Sequence, residues 1–262
     1  MRGGRALGTL AWSYLALTLS FLYLPLFPPF VFSLALPAGE PGGLGLRAYL
    51  ELWRNPVLTG AIQTSLLVGL LTSVLTPPLA LLAAMSVREL RAPRAVLLLL
   101  LMPLFIPGIS MGLADAFLFR LLGIPPSLLT ILIVHLLWAL PFAFLIILTA
   151  MAGFDPVYLE AAYLHGAGRL RAFFDVELPL IAPGISGAAT FTFILSLNET
   201  VRTGLVQGPW NTVQTYVWST YLQVGLSPTI YALMSLLIAL TVILILVIRP
   251  LLTRRSQRTA SV

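Results

Sequence analysis

The sequence predicts an all-α, polytopic membrane helix bundle of six transmembrane helices. Three observations carry that prediction. Of 262 residues, 59% are hydrophobic and only 9% are charged. Mean hydropathy is +0.99, and apolar runs recur along the whole chain. An ordinary soluble domain carries roughly a quarter charged residues, and no water-soluble fold of this size hides so much apolar surface, so the solvent is lipid.

Crossing the hydrocarbon core takes about 20 apolar residues. Runs that satisfy this lie at 10–36, 57–87, 95–118, 128–151, 180–197 and 230–248. The first follows Arg2 and Arg5 in the manner of a signal peptide, but it is too long and lacks a small-x-small cleavage site, so it is expected to stay as a first helix. The second contains Pro77 and Pro78 and is expected to tilt or kink. The third carries Asp115, and the fourth carries His135 beside Trp138, read as a packing residue. Pro103, Pro107 and Pro141 add kinks of the kind common in membrane helices. The longest extramembrane pieces are 37–56, 152–177 and 202–228; only the second combines high charge with helix signals.

Cysteine and lysine are both absent. Disulfides, thiolate nucleophiles and Cys-ligated metals are thereby excluded, and every basic side chain is Arg. A net charge of +6 and a pI near 10.2 would suit a nucleic-acid binder. The arginines cluster at span ends and in the tail, however, so the expected partner is membrane lipid rather than nucleic acid. Six spans put both termini on one side. Arg2, Arg5, Arg88, Arg91, Arg94, Arg169, Arg171, Arg249, Arg254, Arg255 and Arg258 would be inside, against Arg47, Arg54, Arg120 and Arg202 outside, eleven to four. The bias places both termini in the cytoplasm. Trp53, Trp210 and Trp218 then face the periplasm, where aromatic residues suit the interface.

The loop at 152–183 has its own helix signals. Asp155 can cap a helix with Pro156 at its first position, and Glu160 falls in the early turns, where the dipole favours an anion. The helix runs through Ala161, Ala162 and Tyr163 and stops near Gly166, which can take the left-handed conformation. A second short helix is expected from Arg169 to Val176, ending before Pro179. Two short amphipathic helices at an angle make a rigid protrusion.

The order Glu160-Ala161-Ala162, three residues, Gly166, nine residues, Val176, one residue, Leu178-Pro179 resembles the EAA loop of ABC-importer permeases, with Val176 in the place of an Ile on a buried contact. The pattern spans twenty residues and lies between the fourth and fifth predicted spans. The resemblance implies one permease domain over 1–262 with an ATPase-docking loop at 152–183. It implies that the first short helix sits in a groove of a separate cytoplasmic ATPase, that Glu160 pairs with basic or backbone groups there, that Ala161 and Ala162 permit close approach, and that Gly166 sets the turn. A P-loop needs a lysine and this chain has none, so ATP and Mg belong on the partner and no cofactor is expected here. Paired carboxylates, zinc-ligand spacing and a nucleophile elbow are also missing, so the chain is not expected to be an enzyme.

The last third adds a second resemblance. Leu195-Ser196-Leu197-Asn198-Glu199-Thr200, Gly208-Pro209, Thr215 to Ser219 and Gly225-Leu226-Ser227-Pro228 look like the spermidine/putrescine permease branch, with Asn198-Glu199 where that branch has an acidic pair. A polycation needs carboxylates or aromatic faces along its route. Glu199, Asn198, Asp115, Trp218 and Tyr216 are therefore the candidate path residues, with Tyr221 a further aromatic. Each carboxylate also has a local alternative: Glu199 pairs with Arg202 at i, i+3, and Asp115 with Arg120. The resemblance implies a second permease subunit, two ATPase subunits and a periplasmic binding protein that delivers the solute. Related permeases carry ferric iron, thiamine or oxyanions, and Arg202 is the nearby cation for an anionic cargo. An ion-coupled secondary carrier is the rival from another class; it predicts inverted repeats and several buried ionisable groups.

Overall fold

The computed structural model describes residues 2–35, 45–90 and 93–259. Arg91 and positions 36–44, the last residue of the first predicted span and part of the first predicted extramembrane stretch, lie outside the described residues. In chain order the helices are α1 (Arg2–Tyr23), α2 (Phe27–Phe32), α3 (Arg47–Arg54), α4 (Pro56–Glu89), α5 (Pro93–Leu101), α6 (Gly108–Leu121), α7 (Leu128–Ala152), α8 (Val157–Leu164), α9 (Arg169–Ala172), α10 (Leu178–Leu197), α11 (Val201–Val206), α12 (Val213–Val224) and α13 (Pro228–Thr259). No strand occurs among the described residues, so the all-α class holds.

Four helical stretches are long and apolar enough to cross a membrane: Leu10–Phe32, Pro56–Glu89, Leu128–Ala152 and Arg169–Leu197. The expected six-span count is not reproduced as six straight helices. The third predicted span is broken, its halves Arg94–Phe105 and Gly108–Leu121 meeting at 102°. The cause is local. Pro103 and Pro107 lack N–H donors, and a residue before proline is driven out of the α region; Ile106 accordingly sits at φ −86°, ψ 126°. The sixth predicted span is represented by the shorter apolar helix Pro228–Ile243, the first half of α13. The segment 202–228, read from the sequence as extramembrane, folds largely into α11 and α12. By contrast, α4 runs unbroken through Pro77 and Pro78.

The chain divides into two compact units, one of residues 1–56 with 219–262, the other of 57–218. In the first, α13 packs on α2 and α3. The Tyr49 hydroxyl is bridged at 2.8 Å to Ser33 Oγ and at 2.8 Å to Ser235 Oγ, and the Phe32 and Tyr231 rings lie 5.3 Å apart. Along α1, Trp12, Tyr14, Leu17 and Phe21 are all exposed, as a lipid-facing helix requires.

The second unit is organised by α7 against α10. Ser127 and Thr130 form a reciprocal capping box that starts α7, which satisfies two orphan N–H groups. Ala80, Ala84, Ala143, Phe144, Ile147 and Ala188 form its core. Small residues let the helices close up, as in membrane packing generally. Gly184 is the tightest point: a Cβ there would collide with the Cβ of Ala150. Gly184→Val is expected to cost about 1–3 kcal/mol, read as a lowered thermal midpoint in detergent. Adding Ala150→Gly should return part of the loss.

Candidate functional site

The loop after α7 is built from two local signals. The Val157 N–H donates to Asp155 Oδ1 at 3.0 Å, and the Glu160 N–H to Pro156 O at 3.1 Å. At the other end Gly166 adopts φ +80°. Its N–H donates to Tyr163 O at 2.9 Å, and that of Ala167 to Ala162 O at 3.0 Å. These are the two bonds of a Schellman cap. The helix between them, α8, buries no residue. Val157, Tyr158, Tyr163 and Leu164 are exposed, Leu164 at 87%. Glu160 and Ala161 are exposed and Ala162 is half-buried. α8 is thus capped at both ends and leaves the apolar side chains of Val157, Tyr158, Tyr163 and Leu164 uncovered.

The second short helix departs from expectation. It does not stop before Pro179: α9 passes through a π-helical turn, Phe173–Glu177, straight into α10. Pro179 cannot donate to the Asp175 carbonyl and its ring crowds that group, so the turn widens. Val176, expected on a buried contact, is half-buried, as is Leu178, and Pro179 is exposed. The buried member is Glu177, at 2% exposure. Arg88 Nη1 donates to Glu177 Oε1 at 2.5 Å and Nη2 to Oε2 at 3.4 Å. Sequence reasoning missed both residues; an acid set between apolar Val176 and Leu178 was the available signal.

Of the path candidates, Glu199 is buried at 6% exposure and pairs locally. Its Oε2 accepts from Arg202 Nη1 at 2.7 Å and its Oε1 from the Arg202 backbone N–H at 2.8 Å. The guanidinium lies over the Trp138 ring, 3.8 Å from the centroid. Gly108 and Gly112 make the room: a Cβ on Gly108 would stand 3.2 Å from Arg202 Nη2, and one on Gly112 3.0 Å from Arg202 Cα. Asp115, also buried, forms no ion pair with Arg120. It lies within electrostatic reach of Arg202, and its Oδ2, like Arg202 Nε, is buried without a hydrogen-bond partner. His135 joins the cluster's frame, with Nδ1 2.7 Å from Ser196 Oγ and Nε2 2.8 Å from Thr203 Oγ1.

The structure thus gathers Glu199, Arg202 and Trp138, with Asp115 near them. Asn198 is not part of this: it is exposed and its Nδ2 donates to Ile194 O at 2.8 Å. Tyr216, half-buried, and Trp218, exposed, sit on α12. A cavity of about 390 Å³ lies beside α11, lined by Phe119, Arg120, Pro126, Leu205 and Val206 among others.

Four long apolar helices and an ion pair buried between Glu199 and Arg202 mark a polytopic membrane protein. Residues 43–261 match the family described as binding-protein-dependent transport system inner membrane component, and the chain belongs to it: it is an ABC-importer permease subunit. It is 27% identical over 206 residues to the spermidine/putrescine transport system permease protein PotC of Escherichia coli (strain K12), covering 78% of each chain. It is also 27% identical over 235 residues to the putrescine transport system permease protein PotI of the same strain, covering 86% of this chain and 84% of the relative. Among solved structures, a chain of a bacterial ABC transporter involved in import of the acidic polysaccharide alginate superposes with a TM-score of 0.76 at 17% identity, over 95% of this chain and 98% of that one. That likeness concerns the fold.

Proposed function

We propose that this chain is a single permease domain that, with a second permease, encloses the path of an ATP-driven importer for a polyamine-like organic cation. Two cytoplasmic ATPase subunits hold ATP and Mg, and a periplasmic binding protein delivers the solute. The observation that carries the docking half of this reading is α8, capped at Asp155 and Gly166 and without a buried residue. Glu160, Ala161 and Ala162 meet the ATPase; Gly166, Val176, Leu178 and Pro179 fix the helix to α10. The arginine distribution supports cytoplasmic termini, with the loop on the same side.

The cargo rests on two supports. The relatives' names include spermidine and putrescine, and Trp138, Glu199 and Asp115 supply the aromatic face and carboxylates that recognise an organic cation. Arg202 occupies that place, so a cationic cargo competes with it. Arg202 Nε, buried without a hydrogen-bond partner, favours one second reading, an oxyanion drawn to Arg202. Proteoliposomes holding the complete complex and its binding protein separate the two. ATP-dependent uptake of labelled spermidine, inhibited by putrescine, is expected; accumulation of sulfate without spermidine would favour the second.

A further inference from the structure

The protruding loop is tied to more than α10. Glu177 ends the π turn that leads into α10, and its carboxylate is held by both terminal nitrogens of Arg88, in the last turn of α4. A second tie lies beside it: Arg169, the first residue of α9, donates from Nη2 to Glu89 Oε2 at 3.4 Å. Glu177 is 2% exposed, whereas the Arg88 side chain is 42% exposed. A carboxylate buried that deeply at a membrane-protein helix end is costly unless its partner stays in place, so the tie is stiff. Pairs of exposed side chains contribute little, and the Arg169–Glu89 contact is of that kind.

The helix so tied has a weak point. Along α4, Pro77 and Pro78 remove two backbone donors, and the buried hydroxyls of Thr72 and Thr76 have no hydrogen-bond partner. Arg88 lies eleven residues beyond Pro77, about 16 Å along the helix. Force applied at Arg88 therefore acts on a lever with a softened centre.

We propose that the Arg88–Glu177 pair is a positioning element that carries the displacement of the docking loop into α4, so that ATP binding on the partner moves α4 as well as α10. This rests on the reading of α8 as the ATPase-docking helix. The pair acts through α4 and touches neither nucleotide nor cargo.

The absence of cysteine makes site-directed spin labelling clean. Labels at Leu82→Cys on α4, between Pro78 and Arg88, and Leu145→Cys on α7, both exposed, report the distance between these helices in the assembled complex, prepared with Cys-free partner subunits. The distance is compared without nucleotide and with ATP trapped by vanadate. The native pair is expected to shift the distance on trapping. Glu177→Gln should keep ATPase binding and hydrolysis but lose the shift; Arg88 is half in water, so this variant folds. The exchange Arg88→Glu with Glu177→Arg should restore it. A shift unchanged in Glu177→Gln, absent from the native complex, or unrestored by the exchange overturns the proposal. Failure of the ATPase to bind the native chain at all overturns instead the docking reading on which it rests.

Discussion

Replacing Arg202 by methionine is expected to lower the stability of the solubilised protein by about 3–5 kcal/mol. Methionine keeps the length and apolar stem that pack against Gly108, Gly112 and Trp138, so lost volume is not the main cost. The cost comes from Glu199, which stays buried at 6% exposure and loses the Nη1 donor on its Oε2. The cation–π contact with Trp138 is lost as well, at about 0.5–2 kcal/mol. Adding Glu199→Gln should recover most of the loss, because a glutamine oxygen still accepts the backbone N–H of residue 202. Denaturant titration of native, single and double variants in one detergent checks this. A single variant as stable as the native protein would mean that the pair does not hold α11 in place.

Gly166→Val is expected to weaken ATPase binding about tenfold while the membrane helices stay folded. Beyond its chain neighbours, no atom stands within 4 Å of where a Cβ at Gly166 would sit, so the change acts only through backbone conformation. At φ +80° a side chain costs about 1–2 kcal/mol, and a β-branched one is worst placed. That cost falls on the capped form of α8, and apparent affinity falls with the population of the competent form; 1.4 kcal/mol is a factor of ten. Gly166→Asn, which tolerates this region, should bind nearly as the glycine does. Titration of ATPase onto nanodisc-embedded complex reads both variants. Equal affinity for valine and glycine would remove the cap from the account.

Features set by near neighbours in the chain were legible in the sequence. Asp155 and Gly166 cap α8 because their effects reach only two to five residues, and the i, i+3 spacing of Glu199 and Arg202 anticipated their pairing. Hydropathy found the four long apolar helices. The break in the third predicted span was only half legible: Pro103 and Pro107 announce a disturbance, but the 102° turn reflects how the two halves pack. Contacts between distant residues were not legible. Arg88 reaches Glu177 across 89 positions, and Trp138 meets Arg202 across 64 positions; neither leaves a local signature. The continuation of α9 into α10 was missed for the same reason, since a proline two residues into α10 reads as a stop until the π turn before it is known.

The central claim is that 152–183 docks an ATPase. Its most direct test is co-purification of the partner ATPase with the detergent-solubilised permease complex, native against Glu160→Arg. Glu160 is exposed and its side chain has no ion-pair or hydrogen-bond partner among the described residues, so the substitution leaves the fold intact and reverses a charge at the docking face. The account predicts ATPase retained by the native complex and lost from the variant; ATPase held equally by both, or by neither, would contradict it.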